Sequence, residues 1–456
     1  MWADRPEWRH DLDLIAMTTH YDLLIRNGTA VLPWGQAEAS IGVRDGRIVT
    51  LQAGVDDTAE SVIDATHLHV LPGLIDPHVH LRDPGDASVE SIPTGTKAAI
   101  LGGLTSVFDM PNTNPSIVDA ASIAWKQAYV PTASYCDLGI YIGATKTNAD
   151  VIGTLETQDG VCAIKVFAGS TTGDLLVEDD ATIARVMATG ARRIAFHSED
   201  EYRLRERKPM FSSGMPYASH MEWRDEECAF LGTRRILALA RQAGRPAHIV
   251  HVSTAEEFDY LQGFRDIATS EVLLNHLTQI APECYERLGG YAVMNPPIRG
   301  RRHYDAAWQA VRNGVVDTIG SDHAPHSRAN KEKPWPEVAA GLTGIQTLVP
   351  IMLDHVNAGR LSLGRMVDLM SAGPARVYGA LNKGRIAAGY DADFTIVDLR
   401  TTRTIENDWI VTPAGWTPFA GMAVTGWPKM TVLRGRVVMR EDEVVGEASG
   451  RLVKFR

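Results

Sequence analysis

From residue 70 to residue 322 the chain alternates short apolar runs with helix-like stretches, and this alternation limits its possible folds more than any other feature. Eight β-like runs fall at residues 70–80, 105–112, 135–143, 161–167, 193–197, 247–252, 271–276 and 315–322. Most are followed by an amphipathic stretch, such as DDATIARVMATG or EECAFLGTRRILALARQAG. Eight consecutive strand–helix units predict an α/β fold closed into a TIM-type (β/α)8 barrel, rather than an open sheet. The seventh unit is irregular, with Pro296-Pro297 inside a long connection.

The two ends of the chain read as β. YDLLIRNGTAVL, IGVRDGRIVTL and SVIDATHLHVL near the N-terminus are short apolar runs broken by Asn-Gly or Asp-Gly, which favour tight hairpins. GRIAAGYDADFTIVDL and MTVLRGRVVMRE near the C-terminus have the same character. Together they predict a small β-sandwich assembled from both termini. The expected organisation is an extension at 1–16, sandwich at 17–72, barrel at 73–378 and sandwich again at 379–456.

Composition narrows the function. With 456 residues and 45% hydrophobic content, the chain can bury a large core and more than one domain. A net charge of −11 argues against a nucleic-acid surface, so an anionic substrate would need local cations. Cys136, Cys162, Cys228 and Cys284 show no CxxC spacing, which suits reduced thiols in the cytoplasm. The N-terminus lacks the apolar core of a signal peptide, and no run is long enough to span a membrane. The expectation is a cytoplasmic enzyme acting on a small molecule, without membrane or nucleic-acid partners.

Barrel enzymes carry their chemistry at the C-terminal ends of the strands. Here the first run ends in Asp76-Pro-His78-Val-His80-Leu-Arg82, and residues 78, 80 and 82 share one side while the chain stays extended. The fourth run carries Lys165, and the fifth, sixth and eighth end near His197, His251 and Asp322. Six metal-ligand candidates thus come from five strand ends. Each has a plainer alternative. An HxH pair alone is weak evidence, and His67-Leu-His69 in the sandwich segment is read as structural. His197 and His251 could each be an ordinary strand-end histidine, and His248 is read as a packing residue. Lys165 interrupts an apolar strand where an unpaired ammonium is costly, unless its head reaches a carboxylate or solvent at the rim.

These residues resemble the binuclear amidohydrolase superfamily and, within it, the dihydroorotases. The resemblance rests on DPHVHLRDPG, DMPNTNP, IKVFAGSTTG, HVST, NPPIRG and SDHAPH, in that order across the whole barrel. It implies two divalent metal ions, with zinc best suited to imidazole and carboxylate ligands. His78 and His80 would bind the first ion and His197 and His251 the second. Lys165, carbamylated by CO2, would bridge them, while Asp322 would ligate the first ion and shuttle protons. Arg82, Asn112 and His326 would surround the substrate carboxylate, with Asn295 near the ring, and a homodimer is implied. The implied reaction is reversible opening of L-dihydroorotate to N-carbamoyl-L-aspartate in pyrimidine biosynthesis.

Asp83, Gln346 and the LLNHL stretch depart from the family pattern without removing a ligand position. Arg82 discriminates best among substrates, since a guanidinium pairs with a carboxylate that hydantoins and allantoin lack. Its plain alternative is a rim salt bridge with Asp83. A hydantoinase or allantoinase is therefore one competing reading, and a metal-free scaffold subunit another. The segment at 327–344 reads as a mobile flap or as a plain surface loop.

Overall fold

The structure is a computed structural model and describes residues 18–456. The extension expected at 1–16 lies outside the described residues. Eight strands pair in parallel and in sequence order: Leu74–Val79, Leu104–Asp109, Asp137–Gly143, Val161–Phe167, Ile194–His197, Ala247–Ile249, Ala268–Leu273 and Thr318–Gly320. They are called barrel strands one to eight below. Each overlaps one of the eight predicted runs. The seam between the last and the first is closed just beyond strand eight, where His80 donates its backbone N–H to His323 O at 2.7 Å. A parallel bridge between Val79 and His323 completes it.

The helices follow from local sequence. The helix Glu226–Ala243 starts on Asp225, whose side chain accepts the N–H of Cys228, and stops at Gly244 in the left-handed conformation (φ 65°). Its buried residues, among them Ala229, Gly232, Thr233, Ile236, Leu237 and Ala240, recur at helical spacing and form one face. A Cβ on Gly232 would lie 1.3 Å from Ser198 O, so only glycine lets this helix press against the exit of strand five. That contact fixes the backbone directly after His197.

A second sheet of nine strands is built from both termini. The N-terminal part runs from His20–Leu32 to His69–Pro72, and the C-terminal part from Phe394–Thr404 to Glu443–Val444. The halves join where His69–Pro72 pairs antiparallel with Phe394–Thr404, with Pro72 opposite Phe394. The sheet curls about its own core, in which Ile25, Val43 and Ile63 meet Phe394, Ile396 and Val432. His69 therefore belongs to this sheet and not to the barrel mouth.

At the opposite mouth of the barrel the C-terminal tail acts as a stopper. Leu452 bridges to Leu138, and the Phe455 ring packs edge-on against Phe108 at 5.4 Å. Among the described residues, the strand-end histidines gather at the other mouth.

Candidate metal centre

The barrel brings all six predicted ligand positions to one mouth. His78 and His80 leave strand one, and Asp322 follows strand eight across the seam. His78 Nε2 lies 3.3 Å and His80 Nε2 3.1 Å from Asp322 Oδ1. The opposite nitrogen of each ring is committed. His78 Nδ1 donates to Glu271 Oε1 at 2.7 Å, and His80 Nδ1 donates to Asn112 Oδ1 at 2.7 Å. With protons on both Nδ1 atoms, the two Nε2 atoms present lone pairs toward a carboxylate.

Burial pushes His80 down to about 4, which keeps the ring neutral. Burial alone would raise Asp322, but His78 and His80 beside it hold it at about 2. Ligand atoms of His78, His80 and Asp322 thus converge within 4.8 Å of one another. A divalent cation suits that arrangement.

A second pair stands alongside. His197 Nδ1 and His251 Nε2 are 3.0 Å apart, and the His78 ring lies 5.5 Å from that of His251. Glu199 Oε2 is 3.0 Å from His197 Nε2, though poorly aligned, and favours the proton on that nitrogen. Burial lowers the pKa of both imidazoles. The two buried rings thus meet nitrogen to nitrogen, an arrangement that one shared proton or a metal ion between them would satisfy.

Lys165 lies on strand four, fully buried, and its Nζ has no hydrogen-bond partner. Burial lowers it to about 8 against the pull of Glu271 and Asp322. The plain reading, a lysine head reaching a carboxylate or solvent, is not what the structure shows. An orphaned buried amine and an orphaned buried Glu271 Oε2 are costly features unless another group completes the site.

Backbone strain marks the same place. His251 and Asp322 have φ values of 43° and 47°, in the left-handed region that L residues rarely occupy. Asp322 is held there by His323, whose Nε2 donates to the buried Glu90 Oε2 at 2.8 Å while its Nδ1 accepts the Gly344 N–H.

The predicted substrate residues rim this mouth, with some surprises. Arg82 is half-buried, donates to Pro325 O at 3.3 Å and makes no ion pair among the described residues. The Asp83 carboxylate accepts the Ile92 N–H instead, so the alternative Arg82–Asp83 bridge is absent. The shared parity of residues 78, 80 and 82 does not extend to Arg82, because strand one ends at Val79 and Arg82 itself turns left-handed (φ 56°). Asn112 orients His80, and its Nδ2 donates to Thr172 O at 2.8 Å, which leaves one N–H of the amide for a ligand. His326 donates from Nε2 to Ala340 O at 3.1 Å, and burial lowers it to about 3. Asn295 is held between His220 and Thr171.

The segment at 327–344 is exposed over much of its length but carries a buried anchor. Lys331, fully buried, donates from Nζ to the carbonyls of Val293, Ala339 and Gly341 at 3.0, 2.6 and 2.9 Å.

Glu271, Glu199 and Glu90 were not singled out from the sequence. Glu271 opens the seventh predicted run after Thr269-Ser270, so its charge stood at the edge of an apolar run and not inside one as Lys165 does. A further acidic group, Asp137, Asp391 and Asp393, lies away from this mouth and already holds the Lys383 ammonium, at 2.8, 3.3 and 2.6 Å. His248 bonds Thr269 and packs edge-on against Tyr378, apart from the ligand cluster.

A parallel barrel whose mouth gathers four histidines, an aspartate and a buried lysine fits the class of barrel hydrolases with a candidate metal centre. Residues 69–438 match the amidohydrolase family, and the chain belongs to that family. It is 35% identical over 423 residues to a dihydroorotase of Methanothermobacter thermautotrophicus, covering 91% of this chain and 94% of that protein. It is 31% identical to an allantoinase of Solibacter usitatus, covering 95% and 97%. Among solved structures, the L-hydantoinase (dihydropyrimidinase) of Arthrobacter aurescens superimposes with a TM-score of 0.89 at 27% identity, covering 95% of this chain and all of that one. No helix among the described residues is long and apolar enough to cross a membrane.

Proposed function

We propose that the chain reversibly hydrolyses the cyclic amide of L-dihydroorotate to N-carbamoyl-L-aspartate, as a cytoplasmic homodimer serving pyrimidine biosynthesis. The observation that carries the substrate choice is Arg82. Its half-buried guanidinium stands at the barrel mouth without a carboxylate partner among the described residues, which suits a substrate that brings its own.

His78, His80 and Asp322 would hold one divalent ion, and His197 and His251 a second. A carbamate on Lys165 would link the two, and its buried amine, lowered to about 8, is partly in the neutral form that adds CO2. Zinc suits the donor set. When bound, such a pair lowers the pKa of water and polarises a carbonyl.

The chain's own residues do the rest. Arg82 takes the substrate carboxylate, with Asn112 and His326 beside it, and fixes which ring carbonyl enters the mouth. Asn295 contacts the ring. Asp322, ionised in the resting site, takes a proton from the attacking water and returns it to the departing amide nitrogen. In the reverse direction the same carboxylate removes the proton from the closing ureido nitrogen.

A second reading, a hydantoinase or allantoinase, draws on the structural likeness to L-hydantoinase and the sequence likeness to an allantoinase. A scaffold subunit fits less well, because all six ligand positions are filled. Turnover of L-dihydroorotate, hydantoin and allantoin by protein purified with zinc and bicarbonate separates these. Preference for dihydroorotate supports the proposal, and preference for a neutral ring removes the substrate while keeping the chemistry. Silence with no bound metal favours the scaffold.

A further inference from the structure

We infer that His220 is a positioning residue that fixes the amide of Asn295 with its NH2 toward the substrate ring, so that the ring must offer a hydrogen-bond acceptor there. The inference rests on the proposed role of Asn295 at the ring.

The orientation follows from donor and acceptor chemistry alone. Trp335 Nε1 lies 3.3 Å from His220 Nδ1, and an indole nitrogen can only donate. His220 Nδ1 is therefore the acceptor, and the ring proton sits on Nε2. Nε2 stands 2.9 Å from the Asn295 side chain and 3.1 Å from Met294 O. A donor on Nε2 demands the carbonyl oxygen of Asn295, not its NH2. The NH2 is left to face Thr171, to whose Oγ1 it donates at 3.3 Å, with its second N–H available. A ring carbonyl satisfies that donor, and a ring N–H does not.

The surroundings hold this chain of bonds rigid. His220 and Trp335 are 4% and 2% exposed, so neither bond competes with bulk water. Trp223 packs edge-on to both rings, at 5.9 and 6.4 Å. Trp335 follows Lys331, whose three bonds to backbone carbonyls anchor the segment. The connection after barrel strand eight thus sets a side chain in the irregular seventh unit.

The test is a double-mutant cycle read on whichever of the three rings the wild-type protein opens, joined to a direct reading of the His220 tautomer. His220→Leu should raise KM about tenfold, the value of one lost hydrogen bond, with kcat little changed. His220→Gln, which keeps an acceptor for Trp335 and a donor for Asn295, should restore most of that loss. His220→Leu added to Asn295→Ala should cost nothing further, because the first acts through the second. Nitrogen-15 NMR of the wild-type protein should show His220 protonated on Nε2 alone, with the signal assigned by its absence in His220→Gln. Additive effects in the cycle, or a proton on Nδ1, would overturn the inference, and the NMR reading holds even if His220→Leu does not fold. A wrong substrate assignment shows separately, in the wild-type comparison of the three rings.

Discussion

Glu271 holds His78 from behind: its Oε1 accepts the Nδ1 proton at 2.7 Å and also the backbone N–H of His251 at 3.2 Å. One carboxylate at the end of strand seven thereby orients ligand candidates from strands one and six. Its second oxygen, buried and unpartnered, faces the same interior as Lys165. Side chains that aim metal ligands typically govern affinity without touching the ion.

Replacing Glu271 with Gln keeps the shape but removes the charge that makes His78 a strong ligand. Zinc affinity, measured by competition with a chelator, should fall about 10–100-fold. Unchanged affinity would mean that Glu271 serves packing alone.

Lys165→Ala should lower bound metal from two ions per chain to at most one, as read by elemental analysis after purification with bicarbonate. The variant should remain folded, since the amine makes no hydrogen bond that its loss would break. An Ala variant with two ions and full activity would remove the carbamate from the scheme.

Arg82→Met should leave metal content intact. It should lower kcat/KM for dihydroorotate by about 10²–10³-fold, the usual cost of deleting one partner of a buried charge pair. Turnover of a neutral ring, if any, should change little. Equal losses on charged and neutral rings would show that Arg82 shapes the mouth without reading the carboxylate.

His355 offers a pH test remote from the metal centre. Burial pushes it down to about 4, and its Nε2 lies 3.0 Å from Thr278 Oγ1. A histidine with a depressed native pKa binds its proton more readily in the unfolded chain. It therefore destabilises the fold increasingly as pH falls from about 6.5 toward 4, and has no such effect above that window. Urea unfolding at pH 8 and pH 5 should show His355→Gln losing less stability on acidification than the wild type. Parallel loss in both would show that His355 is not a source of acid sensitivity.

The barrel was legible because eight strand–helix units leave few other closures, and closure alone gathers strand ends that lie far apart in sequence. Lys165 stood out since charge is rare in a buried strand. Glu271 gave a weaker signal, because an acid at the edge of an apolar run reads as surface until its bond to His78 is seen. Spacing could not place Arg82, since the parity rule ends with the strand at Val79 and the left-handed turn at Arg82 is a property of the loop. Nor could it reveal that Asn112 is bonded to His80, a contact between loops of different strands, or that His326 donates to the backbone of Ala340 within its own loop. The anchoring of 327–344 by Lys331 was hidden for a related reason: its partners are backbone carbonyls, which carry no mark in the sequence.

The seam between strands eight and one has a further consequence. His78 and His80 belong to the first barrel strand to be synthesised and Asp322 to the end of the last, and their ligand atoms lie within 4.8 Å of one another. No partial barrel brings them together. An ion held by these three would act as a clasp across the seam, so its binding would register complete closure and its removal would loosen the barrel first where its two ends meet.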